Sequence, residues 1–265
     1  MTGQEKYDAR ARKVNSLLCV GLDPDIAKIG DSFRKSEYPQ FEFNKHIIDA
    51  TAPYVAAFKP NAAFYEARGD SGWRELAMTI EYIRSNYPDI FTILDAKRGD
   101  IGNTNRGYAT SIFDEMGFDA VTLNPYMGGD ALQPFLERDD KVSIILCRTS
   151  NDGAGEFQDL DVGKEPLFMR VAKRVHSVWN ARKNCMLVVG ATRPKELKMV
   201  REAVEDMTIL VPGIGSQGGE VKESVLAGQN RQGLGLIVTV SRSVIFAENP
   251  VEEAKAVLKE INAAR

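Results

Sequence analysis

The chain has 265 residues, 43% of them hydrophobic and 27% charged, a balance that fits an ordinary soluble globular chain with one large domain or two small ones. Its 34 Lys plus Arg against 37 Asp plus Glu give a formal net charge of −3, which excludes a global basic field for nucleic acid or an anionic membrane but leaves a local anion site open. The N-terminus "MTGQEKYDARARKVNS" lacks the uninterrupted apolar core of a signal peptide, and no run approaches the roughly 18 residues of a membrane span, so a cytoplasmic protein is expected.

A helix-length segment over residues 3–15 opens the chain and is expected to close the bottom of whatever follows. Short β-branched and aliphatic runs then recur: "SLLCVGLD" (16–23), "YVAAFKP" (54–60), "FTILDAK" (91–97), "AVTLNP" (120–125), "VSIILCR" (142–148), "CMLVVGA" (185–191), "TILVPGI" (208–214) and "LGLIVTVSR" (234–242). Between them lie segments with helical spacing, among them "FEFNKHIIDATA", "WRELAMTIEYIRSNY", "EPLFMRVAKRVHSVWNAR", "PKELKMVREAVE" and "PVEEAKAVLKEINAA". Continuous apolar strands alternating with helices indicate a parallel sheet covered on both faces. Eight such units predict an α/β fold of the (β/α)8 TIM-barrel type rather than an open doubly wound sheet. No low-complexity linker divides the chain, so residues 1–265 are read as a single domain.

Polar residues collect at the C-terminal ends of these runs, where a barrel builds its catalytic face. Run one ends in Asp23, run two in Lys59 and run three in Asp95 and Lys97; run five leads into "RTSNDGAG", run seven into "PGIGSQGG" and run eight into Ser241 and Arg242. Asp95 and Lys97 stand two apart on a segment expected to be extended, so both side chains should face the barrel mouth. The glycine-rich stretch after run seven and "SRS" after run eight occupy the loops where barrels commonly hold phosphate. "GIGSQGG" lacks the ending of a P-loop and is no convincing dinucleotide fingerprint. Cys19, Cys147 and Cys185 sit inside apolar runs and read as reduced core residues, and His46 and His176 fall in helical patterns and read as structural.

Five segments in this order, "GLDPD", "FKPNAAFYE", the DxKxxDIxxT signature in "DAKRGDIGNT", "PGIGSQGG" and "SRS", resemble the orotidine 5'-phosphate decarboxylase family over essentially the whole chain. "DAKRGDIGNT" with "RTSNDGAG" looks most like the family's second, divergent bacterial subgroup. A common form of the signature has proline at the position of Gly102, a departure expected to leave the chemistry untouched. The resemblance implies decarboxylation of orotidine 5'-monophosphate to UMP and CO2 in pyrimidine synthesis. Lys59, Asp95, Lys97 and Asp100 would form the catalytic tetrad, with Lys97 delivering the proton to C6 of the pyrimidine. It further implies that Asp23 and Lys59 bind the ribose hydroxyls, Ser150 the pyrimidine amide edge, and Gln217 and Arg242 the 5'-phosphate, with Pro212 lining the pocket. Asp100, Ile101 and Thr104 would reach into a neighbouring subunit's site, making a homodimer with shared active sites. No cofactor and no metal are expected. A magnesium-dependent sugar-phosphate lyase of the same broader group, a Schiff-base aldolase using Lys59 or Lys97, and a catalytically silent nucleotide-binding barrel remain as alternatives.

Overall fold

A computed structural model describes residues 1–214 and 218–265. Helix α1 (Gly3–Lys13) precedes β1 (Leu18–Leu22), and α2 (Asp31–Arg34) and α3 (Pro39–Thr51) lead to β2 (Ala57–Pro60). Helices α4 (Ala62–Glu66) and α5 (Gly69–Asn86) precede β3 (Phe91–Arg98), α6 (Gly102–Ala109) precedes β4 (Ala120–Leu123), and α7 (Gly129–Leu136) precedes β5 (Val142–Arg148). Then come α8 (Leu167–Ser177), β6 (Cys185–Val189), α9 (Pro194–Val204), β7 (Ile209–Val211), α10 (Gly218–Gly228), β8 (Leu236–Val240), α11 (Arg242–Ile245) and α12 (Pro250–Ala264).

The eight strands close into one parallel barrel in sequence order, with β8 pairing back onto β1 through Leu18–Val238 and Val20–Val240. Each strand falls inside one of the eight apolar runs, because a strand buried against barrel interior and helix layer alike admits few polar side chains. The longer helices between strands wrap the outside, burying an apolar stripe. In α5, Leu76, Thr79, Ile80 and Ile83 are buried at the i, i+3, i+4, i+7 spacing of a single face. Helix α12 starts where Asn249 accepts from the Val251 and Glu252 backbone N–H groups, with proline at the first helical position. One helical expectation runs too long. The segment 165–182 breaks after Ser177, where Val178 leaves the helical region at φ −125°, and a single 3-10 turn covers Trp179–Arg182.

Helix α1 lies across the N-terminal ends of the strands, as expected. Tyr7 donates its hydroxyl to the Leu236 carbonyl, the Gln4 amide reaches Thr208 Oγ1 at 3.0 Å, and Lys6 pairs with Asp119 at 2.7 Å. Arg10, 7% exposed, spends its guanidinium on the carbonyls of Val55 and Ala52 and on Asp89. The three cysteines are free and buried, and burial pushes each thiol up to about 12, so they act as small core residues. Among the described residues, no helix is long and apolar enough to cross a membrane.

Candidate active site

At the C-terminal mouth of the barrel a cavity of about 590 Å³ is lined by Asp23, Lys59, Pro212, Gly213, Ile214, Thr239, Ser241, Arg242 and Ser243. At its edge sits a compact charge cluster. Lys59, at the end of β2 and 4% exposed, donates Nζ to Asp95 Oδ2 at 3.1 Å. Lys97 donates Nζ to Asp95 Oδ1 at 2.6 Å, and its side chain is 49% exposed. A carboxylate thus lies between two ammonium groups, one sealed in and one open to the mouth.

The electrostatics follow from that geometry. Burial alone would push the Asp95 carboxyl up, but the Lys59 and Lys97 ammonium groups outweigh it and hold Asp95 well below the usual carboxylate range. Burial likewise opposes the charge on Lys59, yet Asp95 and Asp23 overcome it and hold this lysine above its ordinary value. Both groups are therefore ionised at neutral pH, and the pair is coupled.

Removing one partner should expose that coupling. Lys59→Met is expected to lower stability by about 3 kcal/mol, since it leaves a buried carboxylate one cation short; for a chain of this size that is a fall in Tm of roughly 10 °C. Asp95 has a depressed folded-state pKa, so its stabilising contribution is complete above its unfolded value of 3.8 and is lost as pH falls below it. The difference in Tm between parent and variant should then shrink between about pH 7 and about pH 3 in calorimetry. An equal difference at both pH values would rule out the Asp95 charge as its source.

Asp95 and Lys97 converge by a route that alternation along an extended strand does not describe. Leu94 pairs with Val121 and Arg98 with Leu123, so the backbone bulges between them, and Lys97 sits in the left-handed region at φ +49°. On the other side, Asp95 bridges to Asn61. Asn61 caps α4 by accepting from the Ala63 N–H, and its own N–H reaches Asp23 Oδ1 at 3.2 Å, which ties the end of β1 to the start of α4.

Asp100 stands apart from the other three charges. Among the described residues its carboxylate makes no ion pair with either lysine of its own chain; Oδ1 accepts from the Ile101 N–H at 2.7 Å. The turn carrying it is clamped by the buried Asn105, whose Oδ1 accepts from Asp100 N–H while Nδ2 donates to the carbonyls of Asp100 and Ala131. Ile101 and Thr104 are exposed beyond that clamp, Ile101 at 59%. Gly102 adopts φ +42°, a conformation closed to proline, and nothing crowds the residue.

The remaining predicted residues line the opposite side. A Cβ on Gly21 of β1 would lie 1.8 Å from Ser241 Oγ, so this glycine lets the loop after β8 approach the strand and brings Arg242 to the cavity that Asp23 lines. Arg242 is exposed and, among the described residues, makes no ion pair. Ser150 follows β5 in a loop anchored by Arg148, which is 1% exposed and holds Asp159 through Nε at 2.7 Å and Nη2 at 2.9 Å. Gln158 Oε1 accepts from Thr149 N–H in the same loop. Hydrogen bonds from Gly190 N to Arg148 O and from Ala191 N to Pro212 O join the ends of β5, β6 and β7, setting Ser150 and Pro212 on one rim. Gln217 lies outside the described residues. Asn61, Asn105, Arg148, Asp159 and Thr122 were not singled out from sequence. Only Arg148, a charge closing an apolar strand, carried a visible signal.

Comparison with known proteins places this geometry. The profile of the family described as "Orotidine 5'-phosphate decarboxylase / HUMPS family" matches residues 16–257. The orotidine 5'-phosphate decarboxylase of Herpetosiphon aurantiacus is 49% identical over 257 residues, covering 96% of this chain and 93% of that protein. That of Cellvibrio japonicus is 46% identical over 260 residues, covering 95% and 94%. Among solved structures, the OMP decarboxylase of Leishmania donovani superimposes with a TM-score of 0.89 at 41% identity, covering 100% of this chain and 98% of that one. A putative orotidine-monophosphate-decarboxylase from Toxoplasma gondii gives 0.92 at 37% identity, covering 98% and 96%. The chain belongs to the orotidine 5'-phosphate decarboxylase / HUMPS family.

Proposed function

We propose that this chain converts orotidine 5'-monophosphate to UMP and CO2, with Lys97 as the proton donor to C6 and no metal or cofactor. The observation that carries the reading is the Lys59–Asp95–Lys97 array, with ion-pair distances of 3.1 and 2.6 Å, beside a cavity that also holds Arg242.

In the reaction the bond between C6 and the carboxylate carbon breaks, its electron pair stays on C6, and CO2 departs. No carbonyl is placed to delocalise that carbanion, so the barrier must fall by about 20 kcal/mol. An ammonium fixed beside C6 stabilises the charge as it develops, and one of its protons then closes the C6–H bond. Asp95 serves twice. Its ion pair at 2.6 Å aims Lys97, and its charge disfavours a second carboxylate held nearby more than it disfavours the neutral CO2 that replaces it. Lys59, held protonated by Asp95 and Asp23, is a poor nucleophile, which weighs against a Schiff base on that lysine. Asp23 and Lys59 take the ribose hydroxyls, Ser150 and Pro212 the base, and Arg242 with Gln217 the phosphate. Among the described residues the Asp100 carboxylate pairs with neither lysine and the turn carrying it is exposed at Ile101 and Thr104, which supports all three serving the partner subunit's site in a homodimer.

The test is to add orotidine 5'-monophosphate to chelator-treated protein and follow its ultraviolet absorbance together with CO2 release. Loss of activity on chelation and its return with magnesium would favour the sugar-phosphate lyase alternative. Arg242→Ala should weaken binding of the nucleotide and also slow its turnover, because phosphate binding energy helps to close and order the site. Activity on the phosphate-free nucleoside should be spared by comparison. If both substrates lost activity equally, Arg242 would not be the phosphate residue.

A further inference from the structure

Strand β4 contributes one buried hydroxyl to the charge cluster. Thr122, 1% exposed, donates Oγ1–H to Asp95 Oδ1 at 2.9 Å and accepts the Lys97 backbone N–H on the same oxygen, also at 2.9 Å. It lies between Val121 and Leu123, the two residues that pair with Leu94 and Arg98, and so stands opposite the bulge itself. Four steps along β3 there face two along β4, and the backbone N–H of Lys97 turns to a side chain of β4. A threonine hydroxyl has one proton and two lone pairs. Committing the proton to Asp95 and a lone pair to Lys97 N–H fixes its rotamer and joins the two residues through a single atom.

We propose that Thr122 is a positioning residue for catalysis: its hydroxyl holds the β3 bulge in register and so sets the direction of the Lys97 side chain relative to Asp95. The left-handed backbone at Lys97 is unfavourable for a residue with a side chain and persists only where its surroundings impose it. Thr122 supplies that imposition. Without the hydroxyl, the Lys97 N–H and one lone pair of Asp95 lose their partner together. The backbone can then relax toward the extended region, which carries Nζ away from its place. The inference rests on the reading of Lys97 as the proton donor, and the variants below separate the two.

Thr122→Val keeps the shape and removes the hydroxyl; Thr122→Ser keeps the hydroxyl and removes the methyl. The valine variant is expected to lose about ten- to hundredfold in kcat. Its KM and its affinity for UMP should stay within about twofold of the parent, since the groups that bind ribose and phosphate are untouched. Exchange of the C6 hydrogen of bound UMP with deuterated water, the reverse of proton delivery, should slow by the same factor as kcat. The serine variant should restore both. Should the valine variant not fold, Thr122→Ala gives the same comparison with serine. Parental kcat in the valine variant, equal loss in the serine variant, or loss of UMP affinity matching the loss of kcat would each overturn the positioning role. Lys97→Ala is measured alongside: if it retains exchange, the proton-donor reading fails whatever the threonine variants do. If it abolishes exchange while Thr122→Val behaves as the parent, only the role of Thr122 fails.

Discussion

Replacing Lys97 with alanine is expected to reduce kcat by about ten-thousandfold or more while leaving a folded protein that binds UMP. The size of the effect follows from the number of tasks that meet at one atom. The Lys97 side chain is the half-exposed cation of the cluster, at 49% against 5% for Lys59, which suits it to the proposed place beside the developing carbanion. The carbanion loses its stabilising charge and its proton source together. UMP carries no carboxylate at C6, and in the proposed site its recognition falls to Asp23, Ser150, Arg242 and their neighbours, so its affinity should survive. Isothermal titration with UMP and a stopped assay with orotidine 5'-monophosphate measure the two halves. Turnover within about tenfold of the parent would remove Lys97 from the chemical step.

The second large effect is a gain. Lys97→Ala and Asp100→Ala proteins, each inactive alone, are expected to regain activity when mixed and allowed to exchange subunits. If Asp100 completes the site of its partner, a mixed dimer holds one site with both defects and one with neither. Random exchange of equal amounts puts half of all dimers in the mixed form, so about a quarter of parental sites return. The local structure fits such a division of labour. The Asn105 clamp holds the Asp100 turn rigidly to its own barrel, while the Asp100 carboxylate stays out of the Lys59–Asp95–Lys97 array. Demonstrated exchange with no recovered activity would place Asp100 in its own chain's site.

The barrel was legible because the strands are buried on both faces through most of their length: eight apolar runs could be counted without knowing their pairing, and polar residues following six of them marked the mouth. Asp23, Lys59, Asp95 and Lys97 were found in this way. What the sequence hid depends on contacts across the fold. Thr122 is a β-branched residue inside an apolar strand, so by composition it is a good strand former and nothing more; its role depends on the bulge in β3, which alternation along that strand conceals. Asn105 reads as one more polar residue at a helix start. Asp159 stands 11 residues beyond Arg148 in a loop without periodicity, so the pairing that anchors the Ser150 loop has no local signature. Gly102 was visible as a departure from the signature, but its φ of +42°, which proline cannot adopt, was not.

Helix α1 has a further consequence for how the chain is made. Its contacts reach Thr208 and Leu236, 204 and 229 residues further on. During synthesis this helix leaves the ribosome before β7 and β8, yet its seat is complete only once those strands have joined the sheet. Contacts of such long sequence separation form late, because the loop they close must be ordered before they reward it. The helix therefore docks fully only late, and until then Tyr7 waits as exposed, half-apolar surface. That interval, rather than the folded state, is where this helix is most open to proteases and to chaperones.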